Sequence, residues 1–187
     1  DDVRFFAAAG WAAEPAEAWT ALFRRGSGWT GSDGIYSIAA DGREIRAESG
    51  GGKTLFLFGD TFVGEVDAET GRRLSMTMIN NSLALLDGAE PDEGRIAFLW
   101  NRADPASPRS AIEPATPAAK AVEGAYYWLQ DGAVAGGMFY CFPMIVGPNP
   151  DGPEGFQFAL HRVTICRAPM TPHGPDLGRL EQFDAAP

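Results

Sequence analysis

Short apolar runs, each closed by a cluster of turn formers, constrain this chain's fold more than any other feature. Runs rich in β-branched and aromatic residues cover Ile35–Ala39, Thr54–Phe58, Met76–Leu86, Arg95–Trp100, Ala125–Leu129, Met138–Val146 and Phe156–Cys166. Between them stand Asp41-Gly42, Gly50-Gly51-Gly52, Asp87-Gly88, Asp131-Gly132 and Asn149-Pro150-Asp151-Gly152-Pro153. Such clusters supply the φ values that tight turns need, so each run is predicted as a strand ended by a turn. Thr54–Phe58 and Met138–Val146 are nearly continuous in apolar character, as strands buried on both faces are. No strand–helix–strand alternation is visible, and the spacing predicts antiparallel connections in an all-β protein.

One helix interrupts this pattern, near the start. Glu14-Pro15 opens it, since proline is tolerated in the first turn. Trp19, Leu22 and Phe23 then share a face at helical spacing. Arg24 and Arg25 suit the negative end of the helix dipole, and Gly26 supplies a stop. Residues 1–27 therefore read as a helix with its lead-in, covering the β body predicted for residues 28–187. The proline-rich stretch Arg102–Lys120 is predicted as a surface connection.

Charge narrows the partners. The chain carries 15 basic and 25 acidic residues, a net −10, which repels phosphate backbones and anionic lipid surfaces. Nucleic acid is therefore excluded as an expected partner. A neutral partner such as a carbohydrate fits better. No apolar run approaches the roughly 20 residues of a membrane-spanning helix, so no membrane insertion is predicted. The two cysteines, Cys141 and Cys166, lie in strand-like runs that could neighbour each other in a hairpin. A disulfide in an exported protein and two buried free thiols both fit. Without a C-x-x-C motif or Cys/His cluster, no metal centre is expected.

Two acids sit at the turn-rich edges of strands in the stretch Gly28–Gly64, namely Asp33 and Asp60, with Trp29 just ahead of the first. A weaker echo at Tyr127–Gly147 again places aromatics, Tyr127 and Trp128, before Asp131-Gly132 and an apolar strand. Aromatic faces stack on sugar C–H surfaces, and paired carboxylates hydrolyse glycosidic bonds as acid and base or nucleophile. Each acid also fits plain turn chemistry, Asp33 and Asp131 in turns of the Asp-Gly type and Asp60 as a cap for the following amides. Asn80 and Asn81 can hydrogen-bond sugar hydroxyls or make a strand-end turn, and Glu123 is a further acid beside the Tyr126–Trp128 aromatics. His161 reads as a hydrogen-bonded residue inside a strand, and His173 as exposed. Gly50–Thr54 superficially suggests a phosphate-binding loop, but it lacks the first glycine at the required spacing and precedes a strand.

The pattern Gly-Trp-Thr-Gly-Ser-Asp-Gly-Ile-Tyr-Ser-Ile at 28–38, then Thr-Leu-Phe-Leu-Phe-Gly-Asp-Thr-Phe at 54–62 and Met-Ile-Asn-Asn-Ser at 78–82, resembles the five-bladed β-propeller glycoside hydrolase superfamily. That superfamily includes arabinanases, levansucrases and endo-D-arabinanases, and the resemblance is to its uncharacterised secreted bacterial members. It implies that Gly28–Trp100 and Ala125–Pro169 are blades one and two of an incomplete propeller, whose remainder would lie on a longer chain. It implies a secreted or periplasmic hydrolase acting on a poly- or oligosaccharide without a cofactor, with a structural Ca2+ near Asp60 as an option. In such enzymes the first strand of each blade lines a central channel. Asp33 would then be base or nucleophile, and Asp131 would tune the pKa of the acid. Trp29, Asp60, Asn80, Asn81, Glu123, Tyr127 and Trp128 would contact the sugar. The third-blade glutamate of the resembled enzymes has no counterpart here, since Glu154 and Glu181 stand in loop-like contexts. The competing expectations are a non-catalytic glycan-binding propeller, an adhesion or scaffold domain, and a self-contained sandwich of about seven strands.

Overall fold

The computed structural model describes residues 14–43, 52–88 and 90–185, so Gly50-Gly51 of the glycine run and residues 1–13 of the lead-in lie outside the described residues. The protein is predominantly β. The predicted helix is present as α1, Glu17–Leu22, with Leu22 buried. The strands of the first half are β1 (Ser27–Ser32), β2 (Tyr36–Ala39), β3 (Lys53–Phe58), β4 (Thr61–Val66), β5 (Arg73–Ile79), β6 (Ser82–Asp87) and β7 (Ile96–Leu99). A short helix α2, Pro117–Lys120, falls inside the predicted connection, with Pro117 in its first turn and the Thr116 hydroxyl capping the Ala119 N–H. The second half holds β8 (Tyr126–Trp128), β9 (Gly132–Ala135), β10 (Met138–Cys141), β11 (Met144–Pro148), β12 (Phe158–Thr171), β13 (Gly174–Pro175) and β14 (Glu181–Asp184).

Two predicted strands are each divided. Met76–Leu86 breaks at Asn80-Asn81, and Met138–Val146 breaks at Phe142-Pro143, where proline has no N–H to donate to a ladder. Three further strands, β1, β4 and β9, lie in stretches too rich in glycine or turn residues to read as strands. Pairing with long neighbours overrides that weak local preference. Among the described residues, fourteen strands in three sheets exceed the seven of a simple sandwich.

Sheet order exposes a duplication. In the first half, β2-β3-β6-β7 form a four-stranded antiparallel sheet, while the β4-β5 hairpin leaves it and pairs with β1. In the second half, β9-β10-β12-β14 repeat the four-stranded order, and β11 with the first half of β12 leaves to pair with β8. Here β12 stands for both β5 and β6. The register agrees in detail. The sheet's last rung, Phe58↔Ser82, is separated from the hairpin's first rung, Thr61↔Ile79, by two residues on each strand. Cys141↔Cys166 and Met144↔Val163 are likewise separated by two on each. This joint therefore pairs Phe58 with Cys141, Asp60 with Pro143, Asn80 with Thr164, Asn81 with Ile165 and Ser82 with Cys166. Two identities follow from the same register, Phe56 with Phe139 and Ala84 with Ala168.

The two units stack the same way round. Leu55 and Leu57 of β3 with Leu83 and Leu85 of β6 form one face of the first sheet. They pack against Phe139, Cys141, Cys166 and Ala168 of the second. The opposite face of the first sheet, with Phe56, Phe58, Ala84 and Leu86, is covered by Trp29 and by Leu22, Trp19 and Phe23 from and beside α1. Since Phe56, Phe58 and Ala84 correspond to Phe139, Cys141 and Ala168, like faces point in one direction along the stack. Each fully buried leucine or phenylalanine in these layers contributes about 1.5–3 kcal/mol of burial free energy.

Candidate functional site

Asp60 occupies the joint between β3 and β4, and a chain of buried hydroxyls fixes it there. The Trp29 Nε1–H donates to Ser82 Oγ at 3.1 Å, and Ser82 shares a 2.8 Å hydrogen bond with the Thr61 hydroxyl. Thr61 in turn donates to the Gly59 carbonyl at 2.8 Å, while Ser32 Oγ donates to the Asp60 carbonyl at 2.8 Å. Buried hydroxyls partnered in this way hold a backbone rigidly. The carboxylate itself is half-buried. Its Oδ1 accepts the Trp128 indole N–H at 2.9 Å and the Asn80 Nδ2–H at 3.4 Å. Trp128 comes from the second unit, so this contact spans both halves of the molecule.

Asp33 lies beside Asp60, tied to it through the backbone. The Asp33 N–H donates to the Asp60 carbonyl at 3.1 Å, and the Gly59 N–H donates to the Asp33 carbonyl at 3.0 Å. The Asp33 carboxylate lies over Gly59, where a Cβ would stand 2.5 Å from Asp33 Oδ1 and would have to push it aside. Although the residue as a whole is exposed, its carboxylate is thus pressed against the chain. That partial burial, and next the charge of Asp60, raise the Asp33 carboxyl pKa above its ordinary value, against the opposing pull of backbone N–H donors. Burial and then Asp60 likewise raise the Tyr126 phenol.

The second unit brings aromatics to these acids. Tyr126 and Trp128 alternate with the buried Tyr127 on β8 and meet edge to face, with ring centres 5.9 Å apart. Phe158 stands 4.8 Å from Trp128, and the exposed Phe156 continues the row 6.2 Å beyond. Phe156 and Phe158 were missed by the sequence reading, although their i, i+2 spacing at a strand start was the available signal. A groove of about 390 Å³ opens next to this row, lined by Asn80, Ser110, Glu113, Lys120, Gly124 and Tyr126.

Several predicted contacts lie elsewhere. Trp29 and Tyr127 are core residues, 2% and 0% exposed, on opposite sides of the first sheet, so neither presents a ring to a ligand. Asn81 is also fully buried. Its amide donates to the carbonyls of Ile112 and Tyr127 at 2.9 and 3.0 Å and accepts the Ile112 N–H at 2.8 Å, which commits it to holding the joint. Glu123 is exposed and lies outside the groove. Asp131 is exposed too, its carboxylate accepting the adjacent Gly132 N–H. Counted back from the paired strands, the residue matching Asp33 is Gln130 rather than Asp131, because Tyr36↔Leu57 corresponds to Ala133↔Tyr140. Gln130 accepts a 2.9 Å hydrogen bond from the Tyr36 hydroxyl. His161 is exposed on β12 rather than packed in a core. Among the described residues, no three His, Cys, Asp or Glu side chains gather as a metal site.

A family model described as a domain of unknown function, DUF5005, matches residues 16–179. No curated protein matches the sequence. A crystal structure from Bacteroides ovatus, described as a putative hydrolase, superimposes with a TM-score of 0.63 at 18% identity. The match covers 88% of this chain and 42% of that one, so the chain spans about two fifths of its structural relative.

Proposed function

The chain belongs to the DUF5005 family, and we propose that it contributes the acidic half of a glycoside hydrolase site. Asp33 and Asp60 are the pair that acts on the substrate, and Trp128 with Tyr126 forms the sugar-stacking wall. The observation that carries this reading is the hydrogen bond from the Trp128 indole to Asp60 beside an Asp33 whose pKa is raised. Glycosidases need two carboxyl groups in unlike environments, one keeping its proton and one not. Asp33, whose carboxyl holds its proton more tightly than an ordinary aspartate, is the donor to the leaving oxygen, acting from its protonated fraction. Asp60, with Oδ1 fixed by two N–H donors, acts as nucleophile or as base toward water. The assignment expected from resemblance, with Asp33 as base and Asp131 as its partner, lacks a comparable contact between those residues.

At the level of the fold, the reading is of two consecutive blades of a propeller, in a protein exported to the periplasm or the medium. Support comes from the two like-oriented four-stranded units whose first strands, β2 and β9, adjoin. Tyr36 reaches Gln130 there, and the Gly42 Cα lies so close to the Val134 carbonyl that a Cβ would clash. The structural relative's greater length and its description as a hydrolase agree with this reading.

The test is hydrolysis of a panel of neutral polysaccharides and their oligosaccharides by the full-length protein, followed by Asp33→Asn and Asp60→Asn. Each substitution is expected to lower kcat by about 100-fold or more, the scale of general acid–base catalysis. Turnover equal to wild type in both variants overturns the assignment. Sugar binding without turnover in the wild type would identify a non-catalytic glycan-binding domain instead.

A further inference from the structure

We propose that the aromatic row leading away from Asp60 is a track for the inner units of a neutral polysaccharide, with Phe156 as a sugar-stacking position remote from the reacting bond. The proposal rests on the reading of the Asp60 site and extends it from one sugar to a chain. Each step of the row is a direct contact. The Trp128 indole N–H meets Asp60 Oδ1 at 2.9 Å, and the Phe158 ring centre lies 4.8 Å from that indole. Phe156 follows with its ring centre 6.2 Å from Phe158. Among the described residues, Phe158 is the single ring that Phe156 meets, so the row runs outward instead of closing on Trp128. Exposure rises along it, from the half-buried Trp128 and Phe158 to Phe156 at 66%. A single sugar held at Asp60 has no use for the outermost ring, whereas a chain passing over the row does.

Packing does not account for Phe156. A phenylalanine mostly in water forgoes most of the burial free energy its ring can contribute. The β11–β12 loop nonetheless holds it in place. The Asn149 N–H donates to the Gln157 carbonyl at 2.9 Å, the Gly152 N–H to the Asn149 carbonyl at 3.0 Å and the Phe156 N–H to the Pro153 carbonyl at 2.8 Å. Gly152 leaves room for that turn, because a Cβ there would stand 2.5 Å from the Phe156 carbonyl oxygen. The matching hairpin of the first unit closes through Asp67–Arg72, where the Asp67 carboxylate accepts the Thr70 N–H and hydroxyl and no aromatic stands. A hairpin tip in this architecture therefore needs no ring. The tip that carries one belongs to the unit that also brings Trp128 to Asp60. Its other side chains select the occupant. Asn149, Asp151, Glu154 and Gln157 offer hydrogen bonds beside the ring, and no basic residue lies between Asn149 and Gln157. Ring face plus hydroxyl-binding groups suit a sugar, and the two acids turn away an anionic chain, which leaves a neutral one.

The experiment measures retardation in native gels cast with soluble arabinan, xylan, β-glucan or galactomannan, alongside turnover of the same polymers and of their disaccharides. Phe156→Leu keeps an apolar side chain without a ring, and Phe156→Tyr keeps the ring. On the polymer that retards the wild type, Phe156→Leu is expected to weaken retardation roughly 2- to 10-fold, the scale of one ring contact, and Phe156→Tyr to restore it. KM for that polymer should rise by the same factor with kcat unchanged, as for a contact made equally before and during reaction, while disaccharide turnover stays at the wild-type value. Turnover with an unchanged KM in Phe156→Leu overturns this proposal and leaves the Asp60 reading standing. Retardation that depends on the ring, without turnover in the wild type, upholds the track and overturns the catalytic reading. Equal losses on polymer and disaccharide would mean that Phe156 acts through the fold, and would overturn the track. No retardation of the wild type by any of the four polymers also overturns it, and would assign the exposed ring to a protein partner instead. Should Phe156→Leu not fold, wild-type retardation matched by Phe156→Tyr and lost in Phe156→Ser decides the same question.

Discussion

The joint between four-stranded sheet and hairpin occurs twice with the same count of residues and with unlike chemistry. In the first unit it holds Gly59-Asp60 opposite Asn80-Asn81, all engaged in hydrogen bonds through backbone or side chain. In the second it holds Phe142-Pro143 opposite Thr164-Ile165, where Phe142 is 41% exposed and the buried Thr164 Oγ1 has no hydrogen-bond partner. The backbone therefore turns this corner with or without a carboxylate. The half-buried Asp60 accepts an indole N–H from the neighbouring unit at the place where the second unit carries Pro143. The second unit contributes surface to the same place, through Tyr126, Trp128 and Phe158. The two halves thus repeat one strand arrangement with different side chains at the joint.

The comparison breaks most readily at Asn81. Replacing it with alanine leaves the Ile112 N–H and two carbonyls without partners at a site sealed from water. Each such orphan costs about 1–3 kcal/mol, and the three are coupled, so a loss of roughly 3 kcal/mol or more is expected. The corresponding Ile165→Ala removes a half-buried aliphatic side chain and is expected to cost about 1–2 kcal/mol. Urea unfolding of both variants measures the contrast. Equal midpoint shifts would mean that the polar joint is no more committed to stability than its apolar twin.

A smaller effect of opposite sign is expected at Thr164. Its buried hydroxyl carries a desolvation cost with no hydrogen bond to offset it. Valine keeps the shape without the oxygen, so Thr164→Val should stabilise the protein by about 0.5–1 kcal/mol. In the first unit, Thr61→Val removes a hydroxyl bonded to Gly59, Ser82 and Ser32 and should destabilise by about 1–2 kcal/mol. Thermal melts give both signs. A destabilised Thr164→Val would show that the hydroxyl is satisfied in solution and that the second joint is as polar as the first.

Local pattern made some of this legible and left the rest hidden. The face of α1 was readable from Trp19, Leu22 and Phe23, and β2, β3 and β7 from apolar runs bounded by glycine or aspartate. The β1 strand was not, because Gly28 and Gly31 depress strand preference, and only pairing with β4 holds it. The direction of each aromatic was equally hidden. A bulge between Trp29 and Gly31 shifts the alternation on β1. Tyr127 and Trp128 point to opposite faces simply by being adjacent. Aromatic residues near acids could thus be found in the sequence, but which of them face the core could not. The acids Asp33 and Asp60 were legible as strand-edge residues, whereas the partner of Asp60, 68 residues away at Trp128, depends on how the units stack. The offset between Asp131 and Gln130 arises because Asp131 stands two residues ahead of Ala133, whereas Asp33 stands three ahead of the matching Tyr36. Only the ladder reveals it.

The subtlest contrast sets Asp33 against its counterpart Gln130, a charge against a neutral amide. The Asp33 carboxyl is raised above its unfolded value, chiefly by burial and next by Asp60, so the fold favours its protonated form. That preference helps the native state below the ordinary carboxyl pKa of about 3.9 and is lost as pH climbs through the raised folded value. At neutral pH the ionised group is therefore a burden, reduced to a few tenths of a kcal/mol because solvent screens a largely exposed carboxylate. Asp33→Asn, uncharged throughout, should melt slightly above wild type at pH 7, with the difference closing as the pH falls below about 4. An offset that stays constant across the titration would assign the effect to packing over Gly59 instead. The first unit's distinguishing charge would then have no thermodynamic signature of its own, and the case for Asp33 as proton donor would rest on turnover alone.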